Sequence, residues 1–320
     1  HTYEWVEGWG KLPEGWERLG QCGIATDSED RVYCFNRSEH PMVVFDPEGN
    51  VLTHWGEGVL IDSHGMHIDA QDNLYLPVKD GHVVLKYDKH GNQLMTMGTW
   101  NEPSDTGIPH GSGPGQPGWT EGATEFAGPT RMWPNARAAG PFNMPSDISQ
   151  ATNGDLYVSD GYANFRVHVF TSDGQLKFSW GKWGKYGPGE FHTPHGVWVD
   201  NKRDQVFVAD RENDRVQIFD LQGNYITHWA GFRRPASVYI DDEDTVFVSE
   251  MRAFVTILDI KGNVITRLDA PYGTWPQGSS AHFLWLDSKG DIYINQQLDG
   301  KEAESWYPSS SRIVKYKKVG

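Results

Sequence analysis

The sequence predicts an all-β chain closed into a six-bladed β-propeller, and three observations carry that prediction. A unit of roughly 40 residues recurs along the chain, and six copies can be aligned. Most copies divide into four short runs rich in β-branched and aromatic residues, the composition of strands. No stretch carries a long helical period. Repeated four-stranded units without helices describe blades around an axis.

The copies run in order. The first spans Gly23–Gly56 and the second Gly65–Gly98. The third spans Pro145–Gly181, the fourth Pro194–Gly231, the fifth Pro235–Asp269, and the sixth runs from Ala281 to the C-terminus. Between the third and fourth runs of a copy lies a tight turn, PEGN, KHGN, SDGQ, LQGN or IKGN, in which glycine supplies a positive φ. The sixth copy ends in RIVKYKKV and lacks an evident fourth strand; residues 1–20 are expected to supply it and close the ring. Residues 1–320 therefore read as a single propeller domain, with 99–143 as a lid-like loop inserted between blades two and three.

Composition narrows the function. The 28 basic and 43 acidic residues give a net charge of −15, which argues against nucleic acid or an anionic membrane as partner. No apolar run approaches the ~20 residues needed to span a bilayer. The expected partner is a small molecule or short peptide, and the expected state a monomer or small homo-oligomer. The chain starts at His1 without a methionine, so a leader can have been removed, and the compartment stays open between cytoplasmic and secreted. His1 itself reads as a processing scar. Many of the 14 tryptophans stand in WG pairs at blade ends, where a large ring fills the space between sheets. A disulfide between Cys22 and Cys34 stays open, since two cysteines make no framework.

Alignment of the copies sorts residues by place. The axial position at the start of each innermost strand (strand a) holds Cys22, His64, Ser146, His195, Ala236 and His282. Histidine thus falls in every second blade. The turns between the second and third strands (b–c turns) lie on the same face and carry Arg37, Lys79, Tyr162, Arg211, Met251 and Gln297. Three imidazoles with threefold spacing and a fourth position open describe a catalytic zinc site rather than a structural one. A lone propeller histidine is ordinarily a hydrogen-bonded structural residue; equivalence in alternate blades is what favours ligands here. His40, His54, His67, His82, His90, His168 and His228 fall elsewhere and read as structural or solvated. Arg37 and Arg211 have an ordinary alternative as partners of nearby carboxylates, and Tyr162 as a turn aromatic. The 99–143 loop, with KWGKYGPGEFHT, APYGTWPQGSS and LDGKEAESWYPSSS, is placed on the same face as pocket wall.

At these residues the chain resembles a known family. GIATDSEDRVYCFNR, SDGYANFRVHVF, and PHGVWVD followed by VADRENDRVQIF are similar to peptidyl-α-hydroxyglycine α-amidating lyase and its NHL-repeat relatives, over about residues 20–300. The resemblance implies a six-bladed NHL-type propeller, zinc on His64, His195 and His282, a catalytic tyrosine at Tyr162, and active-site arginines at Arg37 and Arg211. It also implies a channel calcium, whose carbonyl ligands match Ile24 and Met66. The calcium's carboxylate position is Phe283 here, and losing the charged ligand argues against that ion. The family's cysteines near the tyrosine and the second arginine are missing too.

The implied chemistry is cleavage of a carbinolamide C–N bond to an amide and an aldehyde. Zinc would stabilise negative charge on the substrate oxygen, Tyr162 would act as base, and an arginine would clamp a carboxylate or carbonyl. The same site would also suit a zinc-dependent hydrolase of lactones, esters or amides. A metal-free NHL binding module is the third reading; it predicts no bound zinc.

Overall fold

A computed structural model describes residues 2–16, 19–20, 22–107, 137–271, 279–298 and 311–320. Six four-stranded antiparallel sheets are formed, one for each repeat copy. Blade 1 contains Cys22–Thr26, Val32–Asn36, Met42–Phe45 and Val51–Trp55. Blade 2 contains His67–Ile68, Leu74–Val78, Val83–Tyr87 and Gln93–Gly98. Blade 3 contains Asp147–Gln150, Leu156–Asp160, Arg166–Phe170 and Leu176–Trp180. Blade 4 contains Pro194–Asp200, Gln205–Asp210, Arg215–Asp220 and Tyr225–Ala230. Blade 5 contains Pro235–Ile240, Thr245–Glu250, Val255–Asp259 and Val264–Leu268.

Blade 6 supplies only Ser279–Leu286, Ile292–Leu298 and Ser311–Lys318 from its own copy. Its fourth strand is Tyr3–Val6, which pairs antiparallel with the last strand from Tyr3 opposite Lys318 to Val6 opposite Lys315. The N-terminal segment therefore closes the ring, as the missing strand of the sixth copy predicted. Closure covers a sheet edge that would otherwise present unpaired backbone groups. Among the described residues no helix is long and apolar enough to cross a membrane.

Packing follows from the repeat. In blade 1 the second and third strands are wholly buried, while the outermost strand is partly buried at its two ends and exposed between them. Among the described residues six apolar clusters form, one at each seam between neighbouring blades; the seam of blades 3 and 4, for example, interleaves Val167 and Val169 with Val206 and Val208. The WG pairs and the glycine turns meet at these seams. Trp180, at the end of blade 3, lies on Gly223 in the turn of blade 4, where φ is +81° and a Cβ would come within 2.7 Å of the indole. Trp229 lies on Gly262 of blade 5 in the same way. Each turn glycine thus serves a backbone sign and a close approach together. Gly223→Ala is expected to cost about 1–3 kcal/mol, from the positive φ and the overpacked indole. An unchanged urea midpoint for that variant would remove this account of the seam.

The insertions fare differently. Lys182–Trp183 and Glu190–Phe191, within KWGKYGPGEFHT, form a small parallel ladder. Its loop packs on the b–c turn of blade 4: Arg211 N donates to Thr193 O at 3.1 Å, and Asn213 Nδ2 to Gly184 O at 2.9 Å. The stems of the 99–143 loop are joined by Ser104 N donating to Phe142 O at 2.8 Å. Its centre, residues 108–136, and the expected wall segments 272–278 and 299–310 lie outside the described residues. Cys34 stands opposite Ile24 in the ladder and is a buried free thiol, so the pairing with Cys22 is not formed.

Candidate metal centre

Histidine is delivered to the axis by irregular backbone. In blade 4, Pro194 pairs with Asp210 and Gly196 with Ala209, so His195 is the extra residue of a bulge. In blade 6, Ala281 pairs with Gln296 and Leu284 with Ile294, leaving His282 and Phe283 in the shifted stretch. In blade 2, His64 sits between an isolated bridge (Ser63 to Val78) and the pair His67–Tyr75. A bulge bends its strand and re-aims a side chain, which here turns the His195 and His282 imidazoles inward. His195 and His282 are therefore inside their innermost strands rather than just before them.

The three rings converge and are almost wholly removed from solvent. One ligand nitrogen from each lies within 4.8 Å of the others. His64 Nδ1 is 2.6 Å from Ser146 O, and His195 Nδ1 is 2.8 Å from Ala236 O. A carbonyl only accepts, so both Nδ1 atoms carry the proton and both Nε2 atoms keep a lone pair. His195 Nε2 lies 3.2 Å from His282 Nε2. Burial, then His282 and Arg37, holds His64 well below the usual imidazole range. Burial, then Arg211 and His64, does the same for His195. Both rings are neutral at physiological pH, the form that binds a metal. Two neutral imidazoles with oriented Nε2 atoms, and the His282 ring converging on them, fit a zinc-type ion.

Tyr162 completes the centre. Its hydroxyl lies 2.8 Å from His64 Nε2 and 3.1 Å from His195 Nε2. Arg211 Nη1 donates to the same oxygen at 3.1 Å. Burial alone would lower the Arg211 guanidinium, but Tyr162 and Glu212 outweigh burial and keep it cationic. The simple alternative for Arg211, a neighbouring aspartate, is not what forms: Asp210 is held by Arg215 at 2.8 Å, and Arg211 pairs with Glu212 at 3.1 Å. Arg37, on the b–c turn of blade 1, donates to Ser63 O at 3.0 Å. Lys79 lies 5.8 Å from the Tyr162 ring centre.

Two acidic residues were not singled out by alignment. Asp62 lies 3.3 Å from Arg37 Nε and 3.0 Å from Lys79 Nζ. Burial would raise its carboxyl, but Lys79 and Arg37 overrule it and hold the group well below the usual range. Glu212 ties Arg211 to Arg234. Both directly adjoin predicted positions, Glu212 in sequence and Asp62 in space. Only adjacency in the chain could have signalled the first, and nothing the second.

The calcium reading meets an aromatic ring. Phe283 lies 4.5 Å from the His282 ring, and is stacked on His195 at 5.4 Å. Ile24 and Met66 are buried beside this wall, but a phenyl ring offers a hard cation no oxygen. The residues do not fit calcium there. The buried carboxyl nearby is Asp147, which accepts from Val197 N at 3.0 Å and is pushed well above the usual range by burial.

Three residues further along the same inner strands stand His67, Trp198 and Trp285, joined by Tyr239 of blade 5. Their rings pack together, with Trp198 4.5 Å from Tyr239 and 5.5 Å from Trp285, and His67 5.6 Å from Trp285. Burial pushes the His67 imidazole down to about 4. The unfolded chain then takes up a proton near pH ~6.5 that the folded chain refuses until about pH 4. Stability from this group is therefore complete above pH ~6.5 and falls as pH falls through that window. His67→Phe is expected to abolish about 2 kcal/mol of the stability lost between pH 7.5 and 5, from ~1.4 kcal/mol per pH unit below the unfolded pKa. Denaturant titrations of both proteins at the two pH values check this; equal pH dependence would refute it.

Comparison with known proteins agrees with this architecture. The family model DUF5128, described as a 6-bladed beta-propeller, matches residues 141–230. The chain is 28% identical to human NHL repeat-containing protein 3, across 97% of this chain and 85% of that one. It is 25% identical to rat peptidylglycine alpha-amidating monooxygenase over 62% of this chain but 20% of the relative. It is 28% identical to peptidyl-alpha-hydroxyglycine alpha-amidating lyase 1 of Drosophila melanogaster over 59% of this chain and 31% of the relative. The matched segment is thus less than a third of either amidating protein. Among solved structures, a streptogramin B lyase superposes with TM-score 0.60 and 12% identity, covering 99% of this chain and 97% of that one. A gluconolactonase from Xanthomonas campestris superposes with TM-score 0.61 and 13% identity, covering 94% and 87%. These two likenesses concern the fold.

Proposed function

Taking the chain as an NHL-repeat β-propeller related to the amidating lyases, we propose that it is a metal-dependent lyase acting on a carbinolamide. The observation that carries the reading is the Tyr162 hydroxyl, 2.8 and 3.1 Å from the Nε2 atoms of two of the histidines and accepting from Arg211. Nε2 of His64 and of His195, with a ring nitrogen of His282, would hold the metal. When bound, a zinc ion supplies Lewis-acid polarisation of a substrate oxygen.

The chain's own residues account for the proton. Arg211 favours the phenolate form of Tyr162 by donating to its oxygen. That phenolate takes the proton of the substrate's hydroxyl. The O–H electrons form the aldehyde C=O, and the C–N bond breaks with its electron pair on nitrogen. The Tyr162 proton then passes to that nitrogen, giving a primary amide. No water is consumed and atoms balance. Arg37, on the far side of His64, is placed to pair with a substrate carboxylate. Its partner Asp62 keeps the free site from carrying two uncompensated cations, Arg37 and Lys79.

The experiment is turnover of an N-acyl-α-hydroxyglycine by zinc-loaded protein, beside a panel of lactones and esters. Release of glyoxylate with stoichiometric primary amide is the expected result. Lactone or ester hydrolysis without amide release would replace the lyase by a hydrolase on the same residues. No turnover of either by fully loaded protein would overturn the enzymatic reading.

A further inference from the structure

The outer edge of blade 1 carries a second group of metal-ligand type, which the sequence presented only as scattered histidines. His40 follows the second strand of that blade, His54 is in its fourth, and Glu57 is in the turn after it. One ligand atom from each lies within 4.8 Å of the others. His40 Nδ1 is 3.0 Å from Glu57 Oε1, and His54 Nδ1 is 2.5 Å from the same oxygen.

The geometry points to a second divalent transition-metal site, built from His40, His54 and Glu57 and separate from the axial centre. Two imidazoles and a carboxylate are a zinc ligand set. The donors are set in place by independent contacts. Asn36, whose side chain is buried, donates from Nδ2 to His40 O at 2.7 Å and fixes the turn. Trp16 stacks on the His40 ring at 3.7 Å with planes 15° apart. It also meets His54 edge-on at 5.1 Å. His54 is held opposite Val43 in the ladder. Leu60 N and Val59 N both donate to Gly56 O, at 2.8 and 3.1 Å, closing the turn that carries Glu57. Glu57 faces both rings through one carboxylate oxygen, so a single anionic group stands between two imidazoles.

The cluster also has the openness a bound ion needs. The side chains of His40, His54 and Glu57 are 25%, 44% and 42% exposed, which leaves coordination positions to water. A metal at these atoms would lock the b–c turn of blade 1 to its outermost strand beneath Trp16. Trp16 belongs to the segment that leads from the closing strand Tyr3–Val6 into blade 1. The site therefore acts as a clasp on the ring closure, and metal binding there is linked to folding.

The test removes the axial centre first. In His64→Ala/His195→Ala protein, Zn²⁺ titrated by calorimetry is expected to bind at one equivalent and to raise the thermal midpoint with concentration. Adding His54→Ala should abolish both effects, and Glu57→Gln should weaken binding at least tenfold. No zinc binding by the folded axial variant, or binding indifferent to His54→Ala, would overturn the second site. If the axial variant does not fold, the unmodified protein serves: two equivalents are expected, falling to one with His54→Ala. One equivalent in both would sink the proposal. The readout is independent of turnover, so failure of the lyase reading leaves this test intact.

Discussion

Tyr162→Phe is expected to keep its axial metal and lose about 10²–10⁴ in turnover, the range for removal of a positioned acid–base group. The substitution removes one oxygen from a nearly dry centre. That oxygen's partners are His64 Nε2, His195 Nε2 and Arg211 Nη1. The two nitrogens stay oriented, because their opposite ring atoms remain bonded to Ser146 O and Ala236 O. Metal affinity should therefore survive. Arg211 loses its acceptor but keeps Glu212, so the guanidinium is not stranded. Metal content by elemental mass spectrometry and kcat on the same preparation are the two readouts. Full turnover with metal retained would exclude the phenol as the base and favour a hydrolytic route. Loss of metal together with turnover would show instead that Tyr162 organises the histidines.

His195→Ala is expected to lose both metal and activity while the propeller stays folded. His195 meets two other parts of the centre, lying 3.2 Å from His282 Nε2 and 3.1 Å from the Tyr162 hydroxyl. With two imidazoles left, a zinc-type ion lacks the three protein ligands of a catalytic site. Removing the ring also leaves Ala236 O without its buried donor, which costs about 1–3 kcal/mol. That loss is local. The apolar seams on either side of blade 4 are built from Val206, Val208, Val216 and their neighbours, not from the axial ring. A cooperative thermal transition with a somewhat lower midpoint, no metal after dialysis and no turnover is the expected pattern. Stoichiometric metal with activity intact would dismiss the axial histidines as the centre.

Much of this molecule was legible before any coordinate. The number of blades, the c–d turns and the closing strand follow from a repeat whose units bury their faces only by stacking in a ring. His64, His195 and His282 were legible because equivalent positions of a closed repeat must face one another, whatever lies between them in the chain. Tyr162 and Arg211 were legible for the same reason, as equivalent turn residues. Asp62 was not, because it precedes the repeat unit and meets Arg37 and Lys79 only through folding. His40 and His54, read from the sequence as structural or solvated, meet Glu57 only through folding. They come from a turn, a strand and the next turn of one blade, and no axial equivalence connects them.

By itself, then, the sequence determined the six-bladed ring and the identity of the residues at its axial positions, since periodicity converts chain position into angle around the axis. Only the tertiary structure decided what those residues do to one another. Bulges at His195 and beside His282 turn the rings inward, and backbone carbonyls of the next blade select the protonated nitrogen. Burial then keeps the imidazoles neutral. Each of these depends on atoms a few ångströms apart that are tens of residues apart in the chain, and such distances are set by packing rather than by pattern.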